Sequence, residues 1–222
     1  MKSDLKKQNA VKIFELLKKE YPDAKSALEF QTPFQLLIST ILSAQCTDER
    51  VNIVTKTLFK KYRKPQDFIN VPSGELEKDI FSTGFYRQKA KSIKQCCLAL
   101  VNDYNGEVPA DFEALTKLPG VGRKTASVVV GNAFGIPAFA VDTHVKRLSN
   151  LLGFIKSDDP EKIEFKLKEL LPESDWVAAS HILAAHGRKI CIARRPKCSE
   201  CKVGKYCPSF NPNDGLKVKV KK

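Results

Sequence analysis

The sequence predicts an all-α fold, and three features carry that prediction. Apolar residues recur at helical spacing along most of the 222 residues. Helix-stopping signals, Asn105-Gly106 and Gly135–Pro137, separate the periodic stretches. The one β-prone run, SVVV at 127–130, is too short and too isolated to suggest a sheet.

The elements follow in chain order. The stretch up to Pro22 reads as an amphipathic helix with Val11, Ile13, Phe14 and Leu17 on one side. PFQLLISTILSAQ (33–45) is apolar nearly all round, which suits a buried central helix. Residues 47–62 form the next helix, capped by Thr47 or Asp48, with Val51, Val54 and Leu58 on its apolar face. Short pieces between Pro65 and Phe81 lead into a long helix from Tyr86 to Tyr104. Helices at 111–118 and 123–134 flank a glycine-rich turn. Residues 141–153 form another helix, followed by 160–171 with Asp159 as cap and Pro160 in its first turn. The last helix spans 174–189.

Apolar residues make up 42% of the chain and charged residues 28%, a globular balance. Lys plus Arg number 38 against 25 Asp plus Glu, a net charge of +13. Such an excess attracts polyanions, so nucleic acid is the expected partner. Part of it lies in the tail Leu216–Lys222, expected to be disordered. No segment approaches the ~18 consecutive apolar residues of a spanning helix, so no membrane partner is expected. The charged N-terminal stretch lacks a signal-peptide core, and the expected compartment is therefore reducing. Seven cysteines there point to thiols or metal ligands rather than disulfides.

Four of them, Cys191, Cys198, Cys201 and Cys207, follow the spacing C-x6-C-x2-C-x5-C. Short, turn-prone connections let all four thiolates converge on one centre. Zinc and iron–sulfur centres both accept four thiolates. Zinc sites commonly show two closely spaced pairs, and only one is present, so the spacing favours iron–sulfur. Arg194, Arg195 and Lys197 lie between the first two cysteines as a cationic finger suited to a phosphate backbone. Cys46, Cys96 and Cys97 sit in or beside apolar helical sequence and read as core thiols.

LPGVG at 118–122 joins two predicted helices as a helix–hairpin–helix turn. Gly120 and Gly122 allow positive φ there, and the helix that follows opens with unpaired N–H groups suited to a phosphate. Leu118, Gly120, Val121 and Gly122 are thus candidate DNA-binding residues. A phosphate-binding Walker loop is excluded by register, because Arg123 stands where Gly must precede the lysine. Lys124 is then either another anion contact or a nucleophile. Asp142 is either the N-cap of the helix from 143 or a catalytic carboxylate. His181 and His186, at i and i+5, read as structural.

LPGVGRKTA (118–126), VDTH (141–144), LSAQCTDERV (42–51) and the four-cysteine spacing together resemble the helix–hairpin–helix DNA glycosylase superfamily, and within it the endonuclease III family. The resemblance runs over roughly residues 5 to 210. It implies a two-domain fold: a six-helix domain at 26–136, and an iron–sulfur cluster domain of 1–25 plus 137–222. It implies a 4Fe–4S cluster on the four cysteines, Lys124 as nucleophile and Asp142 as catalytic carboxylate. Gln45 and Phe85 match residues that enter the DNA stack when a base is flipped, although relatives usually carry Leu at the second position. Ser127 departs from the usual Asn. The implied function is a bifunctional DNA glycosylase and apurinic/apyrimidinic lyase of base excision repair. Its implied substrate is double-stranded DNA carrying oxidised or ring-saturated pyrimidines or abasic sites. The implied agent is a cytoplasmic, nucleoid-associated monomer.

Overall fold

The computed structural model describes residues 2–212, so the basic tail from Leu216 to Lys222 lies outside the described residues. Those residues form helices and turns, with no strand among them. The chain divides into two compact units, one of residues 26–138 and one of 1–25 with 139–222. None of the described helices is long and apolar enough to cross a membrane.

The 26–138 unit holds seven helical segments: α2 (Pro33–Leu42), α3 (Asp48–Lys61), α4 (Pro65–Asn70), α5 (Ser73–Asp79), α6 (Tyr86–Tyr104), α7 (Phe112–Lys117) and α8 (Arg123–Phe134). The stretch between Pro65 and Phe81, expected as short pieces, folds as two helices separated at Val71-Pro72, followed by a single 3-10 turn at Phe81–Thr83. α2 is the central helix, with every residue from Leu36 to Leu42 buried. It packs against α8 and α6. SVVV lies inside α8, where Val129 and Val130 reach the core. Thr47, not Asp48, caps α3, its side chain accepting from the Arg50 amide. On α3 the buried face is Val51, Thr55 and Leu58, whereas Val54 is half-buried. Asn105 ends α6 in the left-handed region.

The other unit begins with α1 (Lys2–Glu20) and continues with α9 (Thr143–Leu151), α10 (Pro160–Leu170) and α11 (Trp176–Lys189). α1 buries Ala10, Ile13, Phe14 and Leu17 against a core that includes Leu167, Ile182 and Leu183. That stripe has the spacing i, i+3, i+4, i+7. Val11, expected on the same face, falls a step to the side and is only half-buried. Asp159 caps α10, accepting from the Glu161 and Lys162 amides.

Candidate nucleic-acid interface and cysteine centre

In the 26–138 unit, the turn between α7 and α8 is built by backbone bonds. The Val121 amide donates to the Leu118 carbonyl, and Ala126 to Gly122. Leu118 and Val121 turn their side chains into the core, at 4% and 5% exposure. These two residues can therefore offer a ligand only their backbone groups. The glycines divide. Gly120 has φ +78°, and a Cβ there would stand 2.8 Å from Ser92 Cβ on α6, so both conformation and space require glycine. Gly122 sits at φ −95°, in extended backbone that any residue adopts, with nothing within 4 Å of a Cβ. The expected positive φ is thus confined to Gly120. What Gly122 leaves is an open approach to the start of α8, which carries no side-chain cap.

The two cations that open α8 are treated differently. The Arg123 guanidinium lies 5.0 Å from the centroid of the Phe112 ring, folded back onto α7. Lys124 is exposed.

Gln45, Phe85 and Gly120 line one hollow together with Lys89 and Ser92. Gln45 and Phe85 lie forty residues apart in the sequence, and the fold brings them to one hollow. Three non-glycine residues among those described have positive φ: Gln45 (52°), Phe85 (48°) and Asn105 (53°). Asn105 is a helix C-cap, where this conformation is ordinary. Gln45 and Phe85 hold it at some cost, of order 1 kcal/mol or more each. Phe85 is also 64% exposed and Phe81 is 62% exposed, two large apolar side chains left in solvent next to a strained turn.

In the other unit, Asp142 caps α9: its Oδ1 accepts from the Val145 amide at 2.7 Å. The cap reading is realised, and the cap uses one carboxylate oxygen. His144 lies on the first turn of α9 and its Nδ1 is 2.9 Å from where a Gly187 Cβ would stand, so Gly187 is required by close packing of α9 on α11.

Cys191, Cys198, Cys201 and Cys207 line one hollow, walled by Leu151, Leu152, Ile190 and Phe210. The seven cysteines are all free of disulfides. Among the described residues no three His, Cys, Asp or Glu side chains stand close enough to share a single metal ion. A zinc ion would draw four sulfurs to about 2.3 Å of one point. Four thiols lining one hollow are a donor set that zinc and iron–sulfur centres both accept. Burial pushes the Cys191 thiol up to about 11, and raises Cys201 and Cys207 as well. The apolar hollow therefore favours thiols until a metal centre replaces their protons.

Sequence reasoning left His186 as a structural residue, and the structure puts it at this hollow. Its Nδ1 meets the Tyr21 hydroxyl at 3.0 Å and its Nε2 lies 3.6 Å from Cys201 Sγ. Burial holds this histidine neutral, down to about 4. The loop before Cys198 is folded by the Lys197 amide donating to the Ile190 carbonyl, while Arg147 Nη2 donates to the Gly187 and Cys191 carbonyls. Arg194, Arg195 and Lys197 are exposed on that loop. Cys96 and Cys97 are buried core thiols, as their setting implied, with Cys96 pushed up to about 12 by burial.

A hairpin helix start, a strained loop pair and a four-cysteine loop define a class of DNA repair protein, and comparison bears this out. Residues 38–173 match the model of the HhH-GPD superfamily base excision DNA repair proteins. The chain is 52% identical to endonuclease III of Synechocystis sp. over 92% of its length and 94% of the relative's. It is 49% identical to endonuclease III of Bacillus subtilis, over 87% of this chain and 89% of that one. A solved structure of a trapped endonuclease III–DNA covalent intermediate superposes with a TM-score of 0.89 at 49% identity, covering 92% of this chain and 96% of that one. The chain belongs to the HhH-GPD superfamily and, within it, to the endonuclease III family.

Proposed function

We propose that this protein is a DNA glycosylase and abasic-site lyase of base excision repair. In this reading it acts as a monomer on double-stranded DNA, at the nucleoid, and removes oxidised or ring-saturated pyrimidines. The observation that carries it is Lys124, an exposed amine in the first turn of the hairpin helix, beside an arginine fastened to Phe112.

Damaged bases cost least to extrude, and the enzyme reaches the glycosidic bond only once the base has left the stack. In this reading Gln45 and Phe85, both exposed, fill the vacated space. The backbone of Leu118–Gly122 and the start of α8 take a phosphate. The neutral Lys124 Nζ then attacks C1′ as the bond from C1′ to the base breaks, the base leaving with the bonding pair and taking up a proton. Ring opening transfers a proton to O4′ and leaves an imine between C1′ and Nζ. That imine acidifies C2′; loss of a C2′ proton forms the C2′–C3′ double bond and expels the 3′ phosphate. Serine or aspartate at 124 would support base removal without this elimination. The Asp142 carboxylate is assigned to accept the lysine's proton or to stabilise the cationic sugar. The cap through Oδ1 holds that carboxylate in one orientation.

The four cysteines are assigned to a 4Fe–4S cluster, whose contribution when bound is a rigid centre. Around it, Arg194, Arg195 and Lys197 are presented to phosphates.

Borohydride reduction on duplex containing a damaged base should leave a covalent protein–DNA adduct. In Lys124→Ala the adduct should fall on the order of a thousandfold or more. An undiminished yield removes Lys124 from the reaction.

A further inference from the structure

Lys89 is a charged residue with 5% exposure beneath the turns that carry Gln45 and Phe85, and both of its side-chain hydrogen bonds go to backbone carbonyls rather than to a carboxylate. Burying an ammonium without a counter-charge is costly, so its two acceptors matter. Nζ donates to the Leu42 carbonyl at 2.7 Å and to the Thr83 carbonyl at 2.8 Å. Leu42 is the last residue of α2, three positions before Gln45, and its carbonyl is one that the helix cannot satisfy itself. A cation is favoured at that end of a helix. Thr83 lies two positions before Phe85, in the turn that enters α6. Lys89 itself stands one turn along α6, where its amide donates to the Phe85 carbonyl. One ammonium thus bonds to a carbonyl near each strained turn, and Lys89 lines the same hollow as Gln45 and Phe85.

We propose that Lys89 is a positioning residue that couples the two DNA-inserting turns, holding Gln45 and Phe85 at a fixed separation so that both enter the stack together. Phe85 and Gln45 occupy left-handed backbone that their own residue types disfavour, so an outside tie is needed to hold it. The carbonyls at Leu42 and Thr83 supply that tie in two different segments of the chain. This inference rests on the reading of Gln45 and Phe85 as wedges.

The test uses the full chain with its metal centre and measures single-turnover base excision on two substrates. One carries the damaged base in fully paired duplex, and the other carries it in an unpaired bubble where no stack has to be opened. Lys89→Met, which keeps the stem and removes the donors, should slow the duplex reaction about tenfold or more. It should leave the bubble reaction within about twofold of the parent. Phe85→Ala added to Lys89→Met should cost little more, because the two act through one element. Equal losses on both substrates, or losses that add in the double variant, overturn the proposal and leave Lys89 a packing residue. If Lys89→Met does not fold, Lys89→Leu, which likewise removes the donors, carries the same duplex-against-bubble comparison, with the same two outcomes. The wedge reading fails separately: Gln45→Ala and Phe85→Ala would each leave the duplex rate unchanged, whatever Lys89→Met does.

Discussion

The two regions that face nucleic acid in this reading are held in place by different means. The hairpin and wedge turns of the 26–138 unit grow out of α2, α6 and α8, whose side chains form one dense core. Their backbone is strained at Gln45 and Phe85 and close-packed at Gly120, and all three positions sit at the ends of helices of that core. The loop from Cys191 to Cys207 contains only two single-turn 3-10 helices, and most of its residues between the cysteines are exposed. Its four cysteines surround a hollow rather than a side-chain core. A surface built on a helical core is preformed by folding. If the four thiols bind the proposed cluster, the surface they carry takes its rigidity from that centre.

The sharpest break of this comparison is a ligand variant. Replacing Cys198 and Cys201 together with serine should remove bound iron and sulfide. It should also weaken binding to duplex DNA by about tenfold or more, since Arg194, Arg195 and Lys197 lose their support. Iron and sulfide analysis with fluorescence anisotropy reads both, and full affinity without iron would end the assignment of the finger. The 26–138 unit should be touched through its glycines instead. Gly120→Ala meets both a positive φ and Ser92, and should cost about 2 kcal/mol or more of stability in a denaturant titration. Gly122→Ala meets neither and should stay within about 0.5 kcal/mol. Equal costs would mean that the turn is shaped by something other than the approach to α6. A smaller effect separates the two roles of Asp142. Asp142→Ala should lose about 1 kcal/mol with the α9 cap, and Asp142→Asn only a few tenths. Both should lose excision rate alike if the carboxylate acts in the reaction, read by melting and single-turnover assays together.

Most of the helices were legible in the sequence because their apolar spacing and end signals are local. Asp159 before Pro160, Asn105 before Gly106 and Thr47 before an acidic first turn each announce a boundary within a few residues. The errors have equally plain causes. Val11 and Ala10 flank the same helical step before Ile13 and Phe14, and the packing partners choose Ala10 for the buried face while Ile13 is buried as its spacing implies. Gly122 looked like Gly120 because both are glycines in one turn, yet a neighbour on α6 distinguishes them.

By itself the sequence determined the all-α class, the hairpin, the cysteine set and a lysine placed to open a helix. Each is written in residues close together, where spacing translates directly into backbone geometry. Only the tertiary structure decided that Leu118 and Val121 face inward, that His186 stands against Cys201, and that Lys89 ties Leu42 to Thr83. His186 and Cys201 lie 15 residues apart in the chain, and Lys89 and Leu42 lie 47 apart. No local pattern encodes them, because they follow from which buried surfaces the helices choose to share.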